Sequence, residues 1–157
     1  VDRRLARLVR RCQDLPGQLL FQYEDDDGQL RPIRSGDVND YVRDVTGLDA
    51  TAKTFRTWGA SVRAAAALAA LDAPASARRA ARELNAVVDE VARHLGNTRS
   101  VCRRSYIHPL VIEHFEAGSL PELWAAGPAR RAHGLAADER KLLHVLRTTH
   151  RRLVGAA

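Results

Sequence analysis

Three short stretches carry residue types able to act on a phosphate: "KTFR" (Lys53 to Arg56), "GNT" (Gly96 to Thr98), and Tyr106, nine positions after Asn97. A tyrosine hydroxyl has a reference pKa of about 10, so its attack on a phosphodiester needs cationic donors nearby. Arg56 offers a planar fork matched to two non-bridging phosphate oxygens. Asn97 can donate a hydrogen bond without titrating, which is useful where charge builds up in a transition state. The "NTR" stretch would add free backbone N–H groups at the start of a short helix. Each residue also has a plain structural reading. Tyr106 can be a half-buried tyrosine with its hydroxyl on a backbone partner, Arg56 a surface ion-pair residue, and Asn97 after Gly96 an ordinary helix end. Arg56 is expected to have buried neighbours in Phe55 and Trp58, which favours a site.

Helices must position these residues. "DRRLARLVRRCQDLPG" places Leu5, Leu8, Val9 and Cys12 on one face of an amphipathic helix that Pro16-Gly17 ends. "QLLFQYEDDDGQLRPI" gives two short β-capable runs around an Asp-Gly turn, with Pro32 confining the second to an edge. "SGDVNDYVRDVTG" carries Val38, Tyr41, Val42 and Val45 at helical spacing between a Ser35 or Asp37 cap and Gly47. A longer helix follows, with Phe55, Trp58, Val62 and Leu68 or Leu71 facing inward and Pro74 as its stop. Ser76 caps the next, whose Leu84, Val87, Val88, Val91 and Leu95 form an apolar stripe ending at Gly96. Thr98 caps a short helix through Tyr106, Pro109 opens another through about Ala117, and "ADERKLLHVLRTTHRRLV" closes the chain as a basic amphipathic helix. The Gly- and Pro-bearing stretch from Gly118 to Gly134 is the expected hinge.

At 157 residues the chain has the size of one domain. Its formal charge of +6 comes almost entirely from arginine, because Lys53 and Lys141 are the only lysines. A sequence pI near 10.1 points to a polyanion partner, against the plainer reading of a solvated basic surface. Cys12 and Cys102 fall in no metal or disulfide spacing, and the six histidines, His94 and His108 included, show no ligand pattern. They read as structural or solvent-facing, in a reducing, cytosolic setting. No apolar run approaches about 18 residues, so no membrane association is expected. A chain that opens at Val1 without any methionine reads as a processed product or a partial reading frame.

"TAKTFRTWGA", followed about forty residues later by "LGNTRSVCRRSYIHP", resembles the catalytic domain of the bacterial type IB DNA topoisomerases, the group similar to the poxvirus enzyme. The resemblance covers nearly the whole chain, including "LPGQLLFQYEDDDGQLRPIRSGDVNDYVRDVTG" and "GLAADERKLLHVLR". It implies a mainly α, multi-helix domain of the topoisomerase IB and tyrosine recombinase type, with a small β-hairpin near the amino terminus. It also implies a monomer on duplex DNA in the cytoplasm at the nucleoid, relaxing supercoils through a 3′-phosphotyrosyl link without ATP, metal or other cofactor. Tyr106 matches the family's nucleophile, Arg56 the second of its two catalytic arginines, and Asn97 a position that is histidine in the poxvirus branch. Lys53 aligns with a lysine near the scissile phosphate, while Thr98, Arg99, Arg103 and Arg104 are expected to line the DNA on the nucleophile's side. The arginines at 3 to 11 and 147 to 152 are equally well read as solvated faces. The family's first catalytic arginine and its general-acid lysine have no counterpart here, so the chain reads as the carboxy-terminal portion of such a domain. Two alternatives stand beside this reading. One is a tyrosine recombinase, although the box reads Lys-Thr-Phe-Arg-Thr-Trp instead of His-x-x-Arg-His. The other is a DNA-binding remnant that cannot cut.

Overall fold

The computed structural model describes residues 2–14, 16–17 and 19–154, without the side chains of Arg152 and Leu153. The chain divides into two compact units, residues 1–52 and 53–157. The fold is mainly α with one small antiparallel ribbon, as the spacing of apolar residues predicts.

In the first unit, helix α1 (Arg3–Gln13) starts where the Asp2 carboxylate accepts from the backbone N–H groups of Arg4 and Leu5. Strands β1 (Gln22–Glu24) and β2 (Leu30–Pro32) pair with Tyr23 opposite Arg31. Both are edges, the setting in which Pro32 is tolerated. Asp25 closes the turn: one carboxylate oxygen accepts from the N–H groups of Asp27 and Gln29, and the other takes the Arg31 Nε–H at 2.7 Å. The guanidinium and the turn amides hold the Asp25 carboxyl below its ordinary range. Helix α2 (Ser35–Thr46) ends at Gly47, whose φ of 65° is the left-handed cap expected there. Its start differs from expectation. Arg34 occupies the cap position, and Asp37 sits one turn in, accepting from the Arg34 N–H at 2.6 Å. The apolar faces of both helices remain uncovered: Leu5, Leu8, Val38, Tyr41 and Val45 are exposed.

The second unit holds the core. Helix α3 (Ala52–Ala69) ends before Pro74 is reached. It buries Ala60, Ser61, Ala64, Ala65 and Leu68, whereas Phe55, expected to face inward, is 58% exposed. The buried residues all lie from the middle of the helix onward and on one face, whereas Phe55 stands in its first half on the opposite side. Trp58 and Val62 lie half-buried at the margin of the core. Helix α4 (Ala77–Leu95), capped by the Ser76 hydroxyl, buries Ala80, Leu84, Val88, Val91 and Ala92 along one stripe. It packs against α5 (Arg99–Ser105) and α6 (Pro109–Glu116). Cys102 is fully buried, and desolvation raises its thiol pKa.

The stretch expected to be a hinge is instead part of the core. It contains α7 (Leu120–Ala125), whose Leu120, Leu123 and Trp124 are buried against the main cluster. Six residues are too few for a visible apolar period, which is why the helix is not apparent from the sequence. Helix α8 (Ala137–Val154) packs on α7 and buries Leu142 and Val145. At their approach, a Cβ on Gly127 would come within 2.9 Å of Lys141 Cα, so only glycine fits. The Trp58 indole donates to Glu139 at 2.8 Å and joins α3 to the first turn of α8. No helix among the described residues is long and apolar enough to cross a membrane.

Candidate active site

The end of α4 organises the candidate residues. Gly96 adopts φ 67°, which lets its N–H reach Arg93 O and lets the Asn97 N–H reach Ala92 O at 2.9 Å. This is a Schellman closure, and it leaves the Leu95 carbonyl free of backbone donors. Two of the predicted residues converge on that oxygen. Arg56 donates from one terminal nitrogen at 2.9 Å, and the Asn97 amide donates at 3.2 Å. The carbonyl thus sets the positions of a guanidinium from α3 and an amide from the turn after α4.

Tyr106 joins them from the end of α5. Thr98 caps that helix through a bond from the Val101 N–H, and Tyr106 is its C-cap, with its N–H on Cys102 O. The tyrosine is half-buried, and the Arg56 guanidinium lies 5.3 Å from its ring centroid in a cation–π contact. Its hydroxyl makes no hydrogen bond among the described residues, unlike the backbone-anchored hydroxyl of the plainer reading. Arg56 has five N–H donors and places one on Leu95 O, so others remain available to an anion. It also lines a cleft of about 260 Å³ with Arg63 and His94.

Ser61 was not expected. It is the buried polar residue of α3, 3% exposed. Its hydroxyl donates to Tyr106 O at 3.3 Å and accepts from the His108 N–H at 2.9 Å. The helix that carries Arg56 therefore also grips the backbone on both sides of Ile107. A lone serine on an otherwise alanine-rich helical face, in "GASVRAAAALAA", is the signal that points to it.

The remaining predicted residues are more dispersed. Lys53 is exposed, one turn before Arg56. Arg99 forms a two-pronged ion pair with Asp89, which holds the Asp89 carboxyl below its ordinary range, and Arg103 reaches Glu116 at 3.5 Å. Arg104 is exposed and has no partner among the described residues; with Arg103 it lines a separate cleft of about 460 Å³. His108 accepts from the Leu110 N–H and caps α6, a structural role, and His94 is exposed.

A helical domain that gathers a tyrosine, an arginine and an amide around one helix end has a match among known families. The family described as eukaryotic DNA topoisomerase I, catalytic core, matches residues 2–119, well over half of the chain, and the protein belongs to it. A DNA topoisomerase 1B of Acanthamoeba polyphaga mimivirus is 26% identical over 115 residues, covering 69% of this chain and 34% of that protein. The chain therefore spans about a third of the length of this curated relative.

Proposed function

We propose that the protein is the tyrosine-bearing part of a type IB topoisomerase of the bacterial, poxvirus-like group, which cuts and reseals one strand of duplex DNA. The observation that carries this reading is the Arg56 guanidinium, held over the Tyr106 ring by the same Leu95 carbonyl that takes the Asn97 amide. In the proposed reaction the Tyr106 hydroxyl oxygen attacks phosphorus and loses its proton to solvent. The bond from phosphorus to the 5′-oxygen breaks, a 3′-phosphotyrosyl diester forms, and the leaving oxygen takes up a proton to become a 5′-hydroxyl. Attack by that hydroxyl reverses each step. One phosphodiester is exchanged for another, so no ATP is required.

Arg56 would neutralise the non-bridging oxygens as charge accumulates, and Asn97 would donate to one of them. Lys53, Thr98, Arg99, Arg103 and Arg104 would approach the DNA backbone, with Arg99 and Arg103 first exchanging carboxylate partners for phosphates. The proton for the 5′-oxygen is assigned, by resemblance, to a lysine outside this chain, a step worth about 10²–10⁴ in rate. The reading also includes a monomer acting at the nucleoid.

A duplex ending in a 3′-p-nitrophenyl phosphate tests the assignment, because p-nitrophenolate leaves without a proton donor. Covalent protein–DNA adduct should form, disappear in Tyr106→Phe, and slow by about 10²–10³ in Arg56→Ala. Salt-sensitive DNA binding with no adduct would instead identify a DNA-binding protein that does not cut.

A further inference from the structure

A second cationic site lies at the far end of the chain, beyond the residues that the family match covers. On α8, Arg140, His144, Arg147 and Arg151 recur at intervals of four, three and four residues, which aligns them along one side of the helix. They form one wall of a cleft of about 490 Å³. The opposite wall is the loop before α8, where Ala132 and Leu135 exchange backbone hydrogen bonds of 3.2 and 3.0 Å around His133 and Gly134. Both turn residues have positive φ, 53° and 76°, the tight turn that suits a two-residue connection. That geometry fixes the second wall. None of Arg56, Asn97 and Tyr106 lines this cleft.

Among the described residues, the arginines of the cleft lack the acidic partners that several others have. Arg31, Arg79 and Arg99 each have a carboxylate partner within their own surroundings. Here three guanidinium groups share a cleft that no Asp or Glu lines. Arg140 is held by a bond from one terminal nitrogen to Arg130 O at 2.6 Å, while Arg147 and Arg151 have no hydrogen-bond or ion-pair partner among the described residues. Like charges gathered without a counter-charge repel one another, and an anion with several oxygens relieves that repulsion while filling the guanidinium forks. The cleft has the volume of an ordinary small-ligand site.

We propose that this cleft binds a phosphate-bearing anion, held by Arg140, Arg147 and Arg151. Two sources share that chemistry: a free polyphosphate and the phosphodiester backbone of nucleic acid. Titration calorimetry of the full chain with sodium tripolyphosphate, and separately with a short DNA duplex, distinguishes them. The double variant Arg147→Gln/Arg151→Gln alters exposed side chains, and circular dichroism verifies that it folds. For a free polyphosphate, one tripolyphosphate should bind per chain, at least about tenfold more weakly in the double variant and unchanged in Tyr106→Phe. For a nucleic-acid backbone, tripolyphosphate should bind weakly or not at all, and the double variant should lower the duplex's salt-dependence slope by about two. If the double variant leaves the binding of both probes unchanged, the proposal is overturned. The outcome does not depend on Tyr106 chemistry, so it stands apart from the strand-cutting reading.

Discussion

Residues 2–52 and 53–154 show the same kind of apolar patterning and reach opposite outcomes. In the first region Leu5, Leu8, Tyr41 and Val45 stand on amphipathic helices, yet Ala50 is the only buried residue among those described. In the second, an equally ordinary stripe on α4 becomes the centre of a core with Phe115, Leu120 and Leu142. Amphipathicity states which face of a helix gains by being covered; it does not supply the cover. The second region supplies its own, because five further helices follow α3 within about a hundred residues and close on one another.

The largest effect that would test this contrast is Leu84→Ala. Removing a fully buried side chain from the α4 stripe should cost about 2–5 kcal/mol in urea unfolding. A loss below about 1 kcal/mol would mean that the core is centred elsewhere. Next is Ser61→Ala, which leaves the His108 N–H and Tyr106 carbonyl without their hydroxyl partner. It should cost about 1–3 kcal/mol and slow adduct formation on the p-nitrophenyl substrate. Ser61→Thr should restore the stability, since it keeps the hydroxyl.

A smaller effect is expected at Glu139, whose carboxyl is held below its ordinary range by the Ala136 N–H and then by the Trp58 indole. Its folded value lies under the unfolded one, so its contribution is complete above the unfolded value of about 4.5 and fades as pH falls through the folded value. Glu139→Gln should therefore flatten the acid side of the stability profile and leave the alkaline side unchanged. An unaltered acid limb would show that the Trp58 link between α3 and α8 carries no weight. Smallest of all, Leu8→Ser should change the unfolding free energy in urea by no more than about 0.5 kcal/mol, because its side chain is already exposed. A loss comparable to that of Leu84→Ala would erase the distinction between the two regions.

Much of the helical framework was legible in the sequence because its signals are local. The Ser76 and Thr98 caps, the left-handed Gly47 and Gly96, and Pro109 at a helix start all act within one turn of the residue concerned. Phe55 misled because hydrophobicity alone ranks it above alanine, whereas the core lies against the Ala60 and Ala64 face, from the middle of the helix onward. The Gly118 to Gly134 stretch misled because glycine and proline mark turns but do not show that a short helix between them is packed.

The sequence by itself determined the family, the helix ends, and the spacing that sets Asn97 and Tyr106 at the two ends of one short helix. Tertiary structure decided what those residues meet: the Leu95 carbonyl that Arg56 and Asn97 share, the Tyr106 ring under the guanidinium, and the Ser61 grip on residues 106 and 108. Capping bonds span a few residues and are written in local order. The Arg56 and Ser61 contacts join residues about forty apart, and they exist only because α3, α4 and α5 pack into one core.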